Sequence, residues 1–177
     1  MPTEQDLETL PYFAILALGA RCARHVVPLF SAWERAPQEH VRAVANAVQA
    51  VEDLAACPDA VARAPLWTTA ADAALLAADA ASAADSSEAP TSAICAADAA
   101  AELANAIDPD GPRTSAARAV RKAMQASAEA VDQSGSGGKA EFLSQLTAVL
   151  DRLRSQALTE GWTDETGVSI LEPGESN

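Results

Sequence analysis

Between Arg63 and Arg113 the chain has no lysine or arginine. Eight acids fall in that window, Asp72, Asp79, Asp85, Glu88, Asp98, Glu102, Asp108 and Asp110, and most of what separates them is alanine. Such a block cannot hold phosphates. The whole chain carries 12 basic against 25 acidic residues, a net charge of −13, so it lacks the basic footprint that DNA, RNA or an anionic membrane requires. Histidine is also scarce: with two in the sequence, a histidine-rich metal centre is excluded. The cysteines, Cys22, Cys57 and Cys95, are odd in number and have no CxxC spacing, which argues against a disulfide framework and for reduced thiols. The first residues, MPTEQDLET, are acidic where a signal peptide is positive, and the apolar run from Leu10 to Ala20 is too short to span a bilayer. A cytoplasmic protein is expected.

Aromatic residues make up only 4% of the chain although 49% of it is hydrophobic, because about a quarter is alanine. Alanine has the highest helix propensity and lets helix backbones approach closely, but each contact buries little area. The larger side chains must therefore complete the core. They gather near the two ends of the chain, in Tyr12, Phe13, Ile15, Leu16, Leu29, Phe30, Trp33, Leu66 and Trp67, and again in Phe142, Leu146, Val149, Leu150 and Leu153. The first and last helices are thus the expected spine, with the middle helices laid against it.

Periodicity and punctuation predict an all-α, single-domain bundle of five to seven helices over residues 1–158, followed by an acidic, partly ordered tail over 159–177. Residues 1–9 read as a short polar lead. A first helix runs from Pro11 to about His25, and Pro28 kinks it or separates a short piece carrying Leu29, Phe30 and Trp33. A second opens at Pro37, carries the stripe Val41, Val44, Val48, Val51 and Leu54, and ends at Pro58. Pro65, Leu66 and Trp67 read as a turn before a third helix, from Thr68 or Thr69 to about Ala84. Thr91 or Ser92 caps a fourth, to about Ala106, and Asp108-Pro-Asp-Gly-Pro is a turn. Thr114 or Ser115 caps a fifth helix to about Val131, Ser134 to Gly138 is a loop, and a sixth helix runs from Ala140 to Leu158.

The third helix carries the clearest surface signal. At 100° per residue Asp72 and Asp79 share one stripe with Leu75 and Leu76 on its flanks, while Ala70, Ala74, Ala77, Ala78 and Ala81 lie opposite. The fourth helix repeats the pattern with Asp98, Glu102 and Asn105 together and Ile94 nearby. Asp72, Leu75, Leu76, Asp79, Ile94, Asp98 and Glu102 are therefore the candidate partner-binding residues, the acids for steering and the apolar residues for contact. The alternative for these helices is a solvated acidic face whose leucines tuck into neighbours.

Charge is unevenly spread. Residues 113–157 hold seven bases against four acids, and Arg113, Arg118, Arg121 and Lys122 open the fifth helix, where positive charge opposes the helix dipole. An acidic neighbour within the fold, such as the third or fourth helix, is the expected compensation.

Catalytic motifs fail on their details. Glu39-His40 is not HExxH. The Ser134-Gly-Ser-Gly-Gly-Lys139 run has Gln133 and Ala140 where a phosphate-binding loop needs Gly and Ser or Thr, and it follows a helix rather than a strand. Cys22, His25, His40 and Cys57 include zinc-ligand types, but nothing in the sequence makes them converge. There is no GxSxG elbow. The expectation is a non-enzymatic protein with no catalytic residues, metal or cofactor, binding a protein partner with a basic surface. The alternatives are a homo-oligomerisation module, in which bases 113–122 of one subunit meet the acidic helices of another, and a metal-dependent helical hydrolase using the carboxylates of the third and fourth helices.

The stretch Ala20-Arg-Cys-Ala-Arg-His-Val-Val-Pro-Leu-Phe30, followed by Trp33 and by Pro37-Gln-Glu-His-Val-Arg-Ala-Val, resembles the opening of small all-helical bacterial immunity proteins of the Imm5-like group. The likeness covers the first 55 residues and attaches no chemistry to them. It implies a protein that neutralises a cognate toxin, often by blocking a basic active site with an acidic surface, and it carries over no binding residues.

Overall fold

The computed structural model describes residues 1–108, 113–135 and 137–168. Among them are seven α-helices and no strand: α1 (Glu4–Glu8), α2 (Tyr12–Ser31), α3 (Gln38–Ala56), α4 (Ala60–Ser86), α5 (Thr91–Ala104), α6 (Arg113–Gln133) and α7 (Lys139–Glu160). The all-helical bundle expected from periodicity is the observed architecture.

Its axis is α2. Eight consecutive residues, Phe13 to Ala20, are buried, the pattern of a helix enclosed on every side. By length and composition α2 could cross a membrane, yet most of it lies inside the protein, packed among α3, α5 and α6. Gly19 sets the closeness of this packing. A Cβ there would lie 2.8 Å from Leu103 Cδ1 and 2.9 Å from Val120 Cγ2, so glycine lets α2 sit against α5 and α6 at once. The Tyr12 hydroxyl donates to the Ala106 carbonyl at 3.0 Å and ties the start of α2 to the end of α5. The last helix does not share the spine. It buries Phe142, Leu146, Leu150 and Leu153 as its stripe requires, but it rides on α6 and the edge of α2. Alanine explains the difference: small side chains brought α5 and α6 close enough to enclose α2 without α7.

No separate short helix follows Pro28, and the turn expected at Pro65 is helical. Pro28 lies within α2 and Pro65 within α4. Pro65 removes only the hydrogen bond to the Val61 carbonyl, one turn earlier, where Val61 is 82% exposed and water can replace the missing donor. Asp59 accepts from Val61 N–H at 2.9 Å and starts α4 eight residues before the expected turn ends. The polar lead also folds. Thr3 and Asp6 form a capping box that opens α1, and Leu7 and Leu10 are wholly buried. Thr91 begins α5 after Pro90 without a side-chain cap, and Thr114 and Ser115 lie within the first turn of α6, which begins at Arg113. The Asp108 to Pro112 turn lies largely outside the described residues.

The tail is ordered further than its composition suggests. Gly161, at φ +65°, ends α7, and the chain returns across the body as a strap over residues 162–168. Asp164 accepts from the Tyr12 N–H at 2.8 Å, supplying the α2 N-terminus with an acidic cap, and pairs with Arg113. Arg63, 4% exposed, donates through Nε to the Cys57 carbonyl at 2.6 Å and through its other arm to the Glu165 carbonyl, while its guanidinium lies 3.9 Å over the Phe13 ring. Val168 is buried and donates to the Ala55 carbonyl at 2.6 Å. The rest of the expected tail, 169–177, lies outside the described residues.

Candidate functional site

Helix α4 packs on α3 and α5 and leaves its opposite face to solvent. Its inner line is Arg63, Ala70, Ala73, Ala77, Ala80, Ala81 and Ala84. That line is rotated slightly from expectation: Ala74 is half-buried and Ala78 exposed, because α4 wedges between two neighbours instead of resting on one. The outer face carries Asp72, Leu75, Leu76 and Asp79. Leu75 is 69% exposed and Leu76 57%, so neither tucks into a neighbouring helix. Asp72 and Asp79 are exposed, and no cation or hydrogen-bond donor engages either of them among the described residues. The one basic residue of α4, Arg63, points inward.

The α5 residues form a separate group. Asp98 is exposed, Glu102 is half-buried and pairs with Lys122 of α6 at 3.3 Å, and Ile94 is half-buried against the core. Although the residue is exposed overall, partial desolvation of its carboxyl raises the Asp98 pKa, and the neighbouring charges of Asp85, Glu102 and Glu129 raise it further. Burial first, then Glu129 and Asp98, raises the Cys95 thiol in the same way. The fold thus brings Asp98 and Glu102 together with Asp85 from the end of α4 and Glu129 from α6. Glu129 was not legible as a member, since it belongs to the net-basic segment. Among the described residues no hydrogen bond or ion pair joins this group to Asp72 or Asp79.

The basic opening of α6 is answered within the chain. Arg118 and Arg121 meet Glu4 of α1, Lys122 meets Glu102, and Arg113 meets Asp164. Of the two helices expected to compensate it, α5 contributes Glu102 and α4 contributes no ion pair among the described residues; Glu4 of α1 and Asp164 of the strap supply the other partners.

A cleft of about 610 Å³ between α2, α3 and α7 was not foreseen. Arg24 on its rim pairs with Glu52 through both Nε and Nη2, and Nη2 also donates to Gln49 at 2.8 Å. His25 stacks on Phe142, with centroids 5.2 Å apart. Cys22 is on the floor, and burial pushes its thiol pKa far up, so it is a protonated thiol and not a nucleophile at neutral pH. Cys22 and His25 share this cleft, but His40 and Cys57 stand at opposite ends of α3, about 25 Å apart at 1.5 Å per residue. They do not converge. In the Ser134 to Lys139 loop, Lys139 is bound to Asp132 at 3.0 Å.

No family model matches this chain, and no curated protein or solved structure matches it.

Proposed function

We propose that the chain is a non-enzymatic, cytoplasmic protein-binding inhibitor or adaptor that presents the outer face of α4 to a partner with a basic surface. The observation that carries this reading is the pair of exposed leucines set between two unengaged aspartates, on a helix with no outward cation. Exposed apolar side chains within a charged rim are what a contact surface needs: the leucines supply desolvation, and the aspartates supply steering. Neutralisation of a toxin, in the manner of the immunity proteins that the first 55 residues resemble, is the specific form that we favour. The self-association alternative has less support, because the cations it would use are paired with Glu4, Glu102 and Asp164 of the same chain.

The test is an affinity capture from host lysate with the wild type and the Asp72→Lys, Asp79→Lys double variant, followed by association kinetics with the purified target across a salt series. A basic protein held by the wild type, lost by the variant and bound more slowly as salt rises supports the reading. Equal capture by both proteins, or association indifferent to salt, refutes it.

A further inference from the structure

The outer face of α4 has a regular geometry as well as a composition. Asp72 and Asp79 lie two turns apart on one stripe, about 10.5 Å along the axis at 1.5 Å per residue, with Leu75 and Leu76 midway. On the Leu75 side the exposed neighbours are Thr68, Ala71 and Ala78, which leave a ledge low enough for another backbone to approach. A helix laid along α4 at a shallow angle would place its own side chains every three or four residues against this pattern. It would meet an apolar pair at the centre and one carboxylate at each end.

A second copy of this chain is a poor occupant. An antiparallel α4 pair would set Asp72 against Asp79 of the other molecule, and a parallel pair would set each aspartate against its own equivalent. Either places four carboxylates around one contact, between two molecules of net charge −13. Cations at the same spacing reverse the sign of both end contacts.

We infer that α4 docks an amphipathic basic helix of its partner, one whose cations stand seven residues apart on either side of an apolar centre, matched to Asp72, Leu75, Leu76 and Asp79. This rests on the reading of α4 as the contact face and adds to it the shape and register of what binds there. The recognition is helix against helix, with i, i+3, i+4 and i+7 anchors along one face.

The probe is a set of labelled synthetic peptides of about 18 residues, five helical turns, with identical composition. One has two lysines seven apart around a leucine pair, and a second has them five apart, on opposite faces. Fluorescence anisotropy against the full chain should show the seven-spaced peptide binding about tenfold or more tightly than the five-spaced one, a difference of about 1.4 kcal/mol. Leu75→Ser with Leu76→Ser, and separately Asp72→Lys with Asp79→Lys, should abolish that preference. All four sites are exposed, and circular dichroism would check that the variants stay helical. Equal binding by both peptides, or a preference that survives in the variants, overturns the inference. If neither peptide is preferred while the lysate partner is still lost on charge reversal, α4 remains the contact face and only the helical register falls. If that partner is indifferent to charge reversal too, both fall.

Discussion

Gly167→Ala tests whether the strap belongs to the fold. A Cβ at position 167 would lie 2.7 Å from the Cys57 carbonyl oxygen, 2.8 Å from its carbon and 2.9 Å from the Ala56 oxygen. These are backbone atoms at the end of α3, and the Cys57 carbonyl is held by Arg63, so they cannot yield as a side chain would. The strap must lift by roughly 1 Å to restore ordinary carbon contacts, which are near 3.5 Å. Lifting exposes Val168, whose burial contributes about 1.5–2 kcal/mol. It also breaks the Val168 hydrogen bond to Ala55 and loosens the Arg63 bond to Glu165, each about 1 kcal/mol. Alanine stiffens the unfolded chain and returns about 0.4–1 kcal/mol. The net expectation is a loss of about 2.5–3.5 kcal/mol. It cannot exceed the loss on truncating the chain after Gly161, because a detached strap contributes nothing more. Urea unfolding of wild type, Gly167→Ala and the truncation, with hydrogen exchange at the Val168 amide, provides the comparison. A change under about 0.5 kcal/mol with Val168 still protected would refute the account of the strap, as would a loss larger than truncation causes.

Three further outcomes follow from other parts of the fold. Gly19→Ala gains about 1 kcal/mol of helix propensity but forces a methyl into Leu103 and the stiff, β-branched Val120 at an overpacking cost of about 1–3 kcal/mol, a net loss of up to about 2 kcal/mol; the thermal midpoint should drop by up to about 8 °C, and a higher midpoint would contradict the packing at the α2, α5 and α6 crossing. The Thr3 backbone N–H and hydroxyl, with Arg154, hold the Asp6 carboxyl pKa down from 3.8 to about 2. Because the folded value lies below the unfolded one, its stabilisation is complete above the ordinary carboxylate range and disappears as pH falls from about 4 to about 2. An acid titration of stability should lose that part of its slope in Asp6→Asn. With a thiol reagent at neutral pH, half-exposed Cys57 should be modified first and Cys95 more slowly, while Cys22 should react only on unfolding. Labelling of Cys22 in the folded protein, read by peptide mass spectrometry, would contradict its burial.

The apolar stripes of α3 and α7 were legible in the sequence because each helix keeps one polar face in solvent. Val44, Val48, Val51 and Leu54 of α3 are all fully buried, and Phe142, Leu146, Leu150 and Leu153 of α7 face inward as their spacing requires. The outward placement of Asp72, Leu75, Leu76 and Asp79 also followed from the 3.6-residue period. Proline misled because its local rule is a statement about hydrogen bonds, and at Pro65 the freed carbonyl is open to water. The Thr3 to Asp6 capping box was readable as a motif and belongs to a helix only five residues long. The strap had no local signal. Its order comes from Arg63, a hundred residues earlier, and from a backbone contact that only glycine permits. The centrality of α2 over α7 was hidden for a related reason: large side chains mark where area is buried, while alanine decides how closely helices assemble around it.

The alanine lining of α4, α5 and α6 has a consequence for which mutations the protein tolerates. In an interior built of leucine and phenylalanine the damaging changes are deletions, which leave holes. Here a buried methyl such as that of Ala77, Ala97 or Ala117 has almost nothing to delete, and the space around it is already closed. Damage should therefore concentrate in enlargements: valine, threonine or leucine at these positions drives two helices apart along their length. Drift in such a sequence is confined to exchanges among alanine, serine and glycine inside and is free outside. Two descendants could then keep the same bundle while their surfaces, the outer face of α4 included, diverge to suit different partners.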